Sequence, residues 1–278
     1  MEFLTKSDIQ QMAPVVFADK ATRDLSNQYV FHNTESVIDD LAQLNWHPVA
    51  ASQRTQRKNK ASVYSPHMVT FQNPDIRIQG ADGDESIPQI LLKNRHDGLG
   101  SFTMMAGLFR MICSNGLVIA TETFSSVKIP HKGYSFEKVR EIVAERVNAL
   151  PGQVQIMNDM KNRDMTKDEQ YELGLDGLLI RAGVKLGSNV DEKDLYDQDT
   201  VAQVLQSLHK EDRGNDLWST FNTVQENLTK GNFMARKNGQ ERARRVRELK
   251  SFEKDIQFNQ DLFKRATQFI PEAQYELV

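Results

Sequence analysis

The chain has 278 residues, of which 39% are hydrophobic and 26% are charged, and its formal net charge is −3. This composition predicts a globular protein with a sizeable core and excludes an intrinsically disordered one. A single cysteine excludes an intrachain disulfide and any zinc site built from several thiolates. There is no run of about 18 apolar residues and no signal-peptide pattern, so we expect a cytoplasmic protein with no membrane partner.

The chain begins with two short helical patterns. Ser7 and Asp8 can cap the first helix, which should end near Pro14 because proline disrupts a helix interior. Thr34 is the predicted N-cap of the second helix, whose apolar residues recur at helical spacing on one face. Strands are predicted at 29–31, 46–56 and 67–72.

The segment 88–133 is the densest apolar part of the chain. Asp97-Gly98 and Asn115-Gly116 are residue pairs that tolerate positive φ in tight hairpins. Two reversals within about twenty residues predict an antiparallel meander rather than a parallel sheet. Cys113 lies among apolar residues of this segment, so we expect a buried thiol without a catalytic role.

After Gly133 the spacing of apolar residues changes from two to about three and a half, which predicts helices. Pro151-Gly152 should kink or stop the first of them. The other predicted boundaries are capping boxes at 166–169 and 200–203, an N-cap at Asn215, a stop at Gly231 and a last helix from about Ala243 to Ile270. The predicted fold class is α+β, with a mainly antiparallel sheet and a packed helix in 1–133 and a helical half in 134–278, within one integrated domain.

Known catalytic patterns are missing from the sequence. There is no P-loop, and Gly98-Leu99-Gly100 lacks the third glycine and the helix of a dinucleotide site. Asp75 and Lys93 could belong to a nuclease core, but Gln89 and Leu91 stand where a second metal-binding carboxylate is needed. His96 and His131 are interpreted as solvated turn residues. We therefore predict no catalytic residue, metal or cofactor, and an enzyme is not the favoured interpretation.

Basic residues form the strongest functional signal, because they cluster while the acids lie elsewhere. Four cations fall within 54–60, and eight fall within 230–250 against only Glu241 and Glu248. Clustered lysine and arginine side chains are the electrostatic footprint of nucleic-acid binding. The candidate contact residues are Arg54, Arg57, Lys58, Lys60, Lys93, Arg95, Arg110, Lys128, Lys132, Arg236, Lys237, Arg242, Arg244, Arg245 and Arg247.

Long stretches of the chain carry a family resemblance. They are PQILLKNRHDGLGSFTMMAGLFRMICSNGLVI, the following KIPHKG, and NDLWSTFNTVQENLTKGN with its basic continuation RKNGQERARRVREL. From roughly Tyr29 to Phe263 the chain resembles the phage- and plasmid-associated family called domain of unknown function 932. The resemblance implies a protein of a mobile genetic element and implies no catalytic residue.

Two functions follow from these observations. The first is a DNA-metabolism protein that binds nucleic acid without sequence preference, with single-stranded DNA favoured, and that anneals strands in recombination as a homo-oligomer. The second is an anti-restriction or anti-defence factor that binds a host protein instead. A cationic groove would favour the first function, whereas an acidic surface that imitates DNA would favour the second.

Overall fold

The computed structural model describes residues 3–21, 31–53, 65–79, 85–97, 102–110, 127–129, 135–187 and 195–271. The chain divides into two compact units. The first consists of Met1–Ile78, Ser86–Phe109 and Phe124–Leu150, and the second of Gln79–Glu85, Arg110–Thr123 and Pro151–Val278. A sheet dominates the first unit and helices dominate the second, so the predicted α+β class is confirmed.

The sheet of the first unit has the strand order β1-β2-β4-β5-β6, and β3 pairs with β4. Three pairings are antiparallel: β1 with β2, β2 with β4, and β5 with β6. The predicted strands at 46–56 and 67–72 correspond to β1 and β2, but Phe31 lies outside any strand and residues 29–30 are not described. The strands are β1 (His47–Gln53), β2 (His67–Gln72), β3 (Ile78–Gln79), β4 (Glu85–Asn94), β5 (Phe102–Arg110) and β6 (Val127–Ile129).

Two helices near the N-terminus form as expected but begin at other caps. Helix α1 (Lys6–Met12) begins at a capping box of Thr5 and Asp8, and a short 3-10 helix, Pro14–Phe17, follows it. Helix α2 (Thr34–Gln43) is capped by Asn33, whose side chain accepts a hydrogen bond from the backbone N–H of Glu35. The Thr34 side chain is instead buried and bonded elsewhere. The apolar face of α2 joins the core against residues of β2, β4 and β5.

Helix α3 (Phe136–Lys161) runs past Pro151, so the helix does not stop there, and the first unit ends within it at Leu150. The other helices are α4 (Lys167–Arg181), α5 (Gln198–Val204), a 3-10 turn (Lys210–Asp212), α6 (Leu217–Lys230) and α7 (Phe252–Thr267). The capping box of Thr166 and Glu169 is confirmed at α4. Helices α5 and α6 are capped by Asp197 and Asp216, not by the predicted Thr200 and Asn215.

The predicted start of the last helix near Ala243 is wrong, because α7 begins at Phe252. Residues before it form a small antiparallel hairpin of β7 (Met234–Ala235) and β8 (Arg244–Arg245). The positive end of a helix dipole disfavours a run of arginines, and the extended hairpin avoids that repulsion. None of the helices in the described part of the chain is both long enough and apolar enough to cross a bilayer.

Helix α6 lies at the centre of the second unit, and every residue from Leu217 to Glu226 is buried. Helix α4 approaches it closely at Gly177. A Cβ added at Gly177 would lie 2.8 Å from Val224 Cγ1 and 2.8 Å from Leu228 Cδ1. Because both neighbours are fully buried, the glycine is required by the close packing of these two helices.

We predict opposite effects for alanine at two helical glycines. Gly177→Ala should lower the free energy of unfolding by about 1 kcal/mol, because overpacking outweighs the gain in helix propensity. Gly152→Ala in α3 is the matched control, because nothing lies within 4 Å of an added Cβ there. Gly152→Ala should raise the free energy of unfolding by about 0.5–1 kcal/mol. Urea unfolding of both variants measures the difference, and a stabilised Gly177→Ala would contradict this packing.

Candidate nucleic-acid interface

Residues 232–250 form the segment that we call the basic hairpin. Gly231 ends α6 with a φ of 64°, which sends the chain into the first strand. The two arms are then joined by backbone hydrogen bonds, from Val246 N–H to the Phe233 carbonyl and from Asn232 N–H to the Val246 carbonyl, both 2.9 Å. The predicted stop at Gly231 is therefore confirmed, and the chain after it is extended rather than helical.

The basic hairpin is anchored to neighbouring segments of the second unit. Arg236 donates its backbone N–H to Thr200 Oγ1 at 2.9 Å, and its carbonyl accepts the Asp197 N–H at 3.0 Å. On the other arm, Leu249 N–H donates to the Thr229 carbonyl at 2.9 Å. The Arg181 guanidinium at the end of α4 donates to the carbonyl of Arg247. The hairpin is thus fixed at its base by contacts outside itself.

Four arginine side chains of the basic hairpin are exposed: Arg242, Arg244, Arg245 and Arg247. Within the described residues none of them forms an ion pair with a carboxylate, and Arg245 donates instead to Asn232 Oδ1 at 3.2 Å. The neighbouring acids do not neutralise them, since Glu241 is exposed and Glu248 lies 3.8 Å from Lys250. The four guanidinium groups are therefore available to an external anion.

Two other candidate cations of the hairpin are already engaged. Arg236 forms an ion pair with Asp197. Hydrogen bonds from Thr200, followed by the bond from Arg236, hold the pKa of Asp197 below its usual value. Lys237 places its ammonium 5.7 Å from the centre of the Tyr196 ring. These two residues help to position the hairpin, and their charge is partly compensated.

The candidate cations of the first half are placed differently. Arg95 forms a half-buried, two-pronged ion pair with Asp97, with Nε to Oδ1 at 2.6 Å, so its charge is satisfied within the protein. Lys93 is half-buried on β4, while Arg110 lies on β5 and Lys128 on β6. Arg54, Arg57, Lys58, Lys60 and Lys132 lie outside the described residues, as do Cys113 and His131.

The first unit contains a buried histidine cluster that sequence reasoning missed. His32, His67 and His96 are all buried, and the rings of His67 and His96 lie 4.9 Å apart. The interpretation of His96 as a solvated turn residue is therefore wrong. His67 Nε2 lies 2.8 Å from Thr34 Oγ1, which accepts a hydrogen bond from Asn94 Nδ2 at 3.0 Å.

The polar partners of the His67 ring in this cluster are the Thr34 hydroxyl and the Ser65 carbonyl. In the described ranges, no three His, Cys, Asp or Glu side chains come together so as to hold a metal ion. Burial lowers the pKa of His67 to about 4, so its ring is neutral at pH 7. His67 is the first residue of β2, whose residues are almost all buried, and its place at the start of this strand was the available signal.

A family model for a domain of unknown function, DUF932, matches residues 23–250. The chain belongs to this family. The DUF932 match includes the whole basic hairpin and ends before α7. The chain is also similar to two Escherichia coli K12 proteins, UPF0380 protein YfjQ at 28% identity and UPF0380 protein YafZ at 29%. Each comparison covers 98% of this chain and 93% of the relative. No solved structure matches the chain.

We predict that His67 makes the stability of the protein sensitive to acid. Its pKa is lower in the folded state than in the unfolded chain, so the unfolded state takes up the proton first as the pH falls. The contribution of His67 to the free energy of unfolding should be fully present above about pH 6.5. It should decrease towards pH 4, by at most about 3 kcal/mol. Urea unfolding across this range should show a shallower dependence for His67→Gln. If His67→Gln left the pH dependence of the free energy of unfolding unchanged, the lowered pKa of His67 in the folded state would be contradicted.

Proposed function

We propose that this DUF932 protein binds single-stranded nucleic acid without sequence preference through the basic hairpin. The observation that carries the proposal is the set of four exposed arginines without carboxylate partners, on a hairpin anchored at its base. In the setting of a phage or plasmid, such binding serves DNA metabolism, including the annealing of strands in recombination. Annealing brings several protein copies onto one strand, so the proposal includes a homo-oligomer on DNA.

Electrostatics supports this use of the hairpin. Four guanidinium groups on one short segment repel one another, and that repulsion is relieved when phosphates lie among them. Arginine also binds phosphate with two parallel hydrogen bonds, which lysine cannot do. A segment whose only role was to stay solvated would gain more from acids that pair with its arginines. Within the described residues, neither Glu241 nor Glu248 forms an ion pair with the four exposed arginines.

The shape of the hairpin supports nucleic-acid binding without sequence preference. Arg244 and Arg245 are neighbours on one strand, so their side chains leave opposite faces of the hairpin. Charges on both faces suit a flexible strand that passes around the hairpin better than a straight duplex. Met234 is 47% exposed and lies opposite Arg245, where it offers an apolar surface to an unstacked base.

Removal of three of these arginines should change the salt dependence of binding. For the folded variant Arg242→Gln, Arg244→Gln, Arg247→Gln, the log-log slope of affinity against salt should become shallower by about 2. The reason is that each lost contact with a single strand removes about 0.7 from the slope. Fluorescence anisotropy of labelled oligo-dT at several salt concentrations measures the slope, and a duplex of equal length tests the preference for single strands.

The matched control removes three cations from elsewhere in the second unit. Lys167, Lys210 and Arg213 are exposed and form no ion pair within the described residues, so their change to Gln alters the net charge equally. The control should keep the slope of the natural protein. Equal slopes in both triple variants would exclude the hairpin. Absence of binding by the natural protein at low salt would overturn the proposal and favour a host-protein partner.

A further inference from the structure

Beside the basic hairpin lies a cavity between the C-terminal end of α4 and α7. Two adjoining parts, of about 300 and 450 Å³, share the lining residues Ile180, Gly183 and Asp261. The smaller part is also lined by Arg181 and Lys254, with Phe258 and Leu249 as apolar neighbours. All of these residues belong to the second unit. A cavity of this size with a few polar groups on apolar walls is typical of a ligand site.

Arg181 lines this cavity, and its guanidinium has one hydrogen-bond donor without a partner. Its Nη2 atom donates to the Arg247 carbonyl, whereas Nη1 is buried and has no hydrogen-bond partner. Burial lowers the pKa of Arg181, which means that the charged guanidinium is poorly solvated. A buried donor on a cation is costly when unpaired, and an anion in the cavity that Arg181 lines would offset part of that cost by compensating the guanidinium charge.

Lys254 supplies a second cation to the same cavity. It lies in the first turn of α7 and is exposed, and within the described residues it forms no ion pair. The one carboxylate of the lining, Asp261, already accepts two hydrogen bonds from the Gln257 amide, each 3.0 Å long. The positive end of the α7 dipole adds to the attraction for an anion near Lys254.

We propose that this cavity binds a phosphodiester group of the nucleic-acid strand, with Arg181 and Lys254 as the two cations that attract it. The proposal rests on the proposed function, because Arg181 bonds to the backbone of Arg247, which is one of the exposed hairpin arginines. The backbone of Arg247 therefore lies next to Arg181, so that one strand can contact the Arg247 side chain and reach the cavity. The cavity deepens the interface by giving one phosphate a partly enclosed position.

Asp255 opposes the anion and makes its binding depend on pH. Burial raises the pKa of Asp255 to about 6, although Asn259 donates a hydrogen bond to it and the Arg181 charge acts in the opposite direction. Tyr196 is the other titratable group that acts on Arg181. When Asp255 is ionised it competes for the Arg181 charge, and when it is protonated that charge is free for phosphate.

Equilibrium binding of labelled oligo-dT to the full chain tests the site. Lys254→Gln should weaken binding about fivefold, as expected for an exposed charge contact, and Arg181→Lys should weaken it about tenfold. Lys167→Gln is the matched control, because Lys167 lies at the opposite end of α4 from Arg181, roughly 20 Å away. It should bind as the natural protein does.

A pH series adds a readout that a purely structural role for Arg181 would not move. Phosphodiesters keep their charge between about pH 5.5 and 7.5, so protein groups alone change affinity in this range. Affinity should rise as the pH falls and Asp255 takes up a proton. In Asp255→Asn this rise should be smaller, and binding at the upper pH should be tighter than in the natural protein.

The outcomes separate this site from the hairpin. If oligo-dT binds and neither the Lys254 nor the Arg181 variant loses affinity, the cavity proposal is overturned while the hairpin proposal stands. If oligo-dT does not bind, calorimetric titration with sulfate decides the matter. Sulfate binding that Lys254→Gln weakens would keep the cavity as a site for a free anion. Absence of sulfate binding would remove the cavity proposal as well as the hairpin proposal that the missing oligo-dT binding has already overturned.

Discussion

The direction of the basic hairpin depends on Gly231. Its φ of 64° combined with a ψ of −135° is a backbone conformation that glycine adopts readily and residues with a Cβ do not, and it turns the chain from α6 into the first strand of the hairpin. An added Cβ at this position would lie 2.7 Å from the backbone carbon of Arg247 and 2.8 Å from its oxygen. The return strand therefore packs directly against the end of α6. The same carbonyl of Arg247 accepts the bond from Arg181, so one close approach positions both the hairpin and the cavity beside it.

Arginine serves two different purposes in the second unit. Arg163 pairs with Glu169, and Arg265 pairs with Glu172 and Asp176, so these side chains bind α4 to its surroundings. The exposed hairpin arginines have no such partners within the described residues. Paired and unpaired arginines look identical in a sequence. The distinction between structural and binding cations therefore requires the positions of the carboxylates.

The sequence was a good guide wherever local rules decided the outcome. The strand pattern at 67–72, the capping box at Thr166 and the stop at Gly231 all depend on residues close in the chain, and all were found in the structure. The apolar residues at 246, 249 and 252 fit helical spacing, so the sequence predicts the start of the last helix where the structure has the hairpin. The backbone hydrogen bonds from Val246 N–H to the Phe233 carbonyl and from Asn232 N–H to the Val246 carbonyl override that spacing, and such partners cannot be read from a window of sequence.

The sequence predicts only part of the candidate site, because partners that are distant in the chain cannot be read from it. Clustering identified the arginines of 242–247, but it also selected Arg95, whose charge is satisfied by Asp97 two residues away. Arg181 and Lys254 were missed because each stands alone in the sequence and only the packing of α4 against α7 brings them to one cavity. The turn position of His96 predicts exposure, but its ring is buried because the rings of Phe31 and His67 each lie 4.9 Å from it.

Amide hydrogen exchange of the full chain, with and without oligo-dT, tests the central claim most directly. Slower exchange in the presence of the oligonucleotide should be concentrated at 232–250, with a second region at 180–186 and 252–258. The same experiment with the triple arginine variant should show little protection at the hairpin. Protection confined to the first unit, with unchanged exchange from 232 to 250, would contradict the hairpin as the nucleic-acid interface.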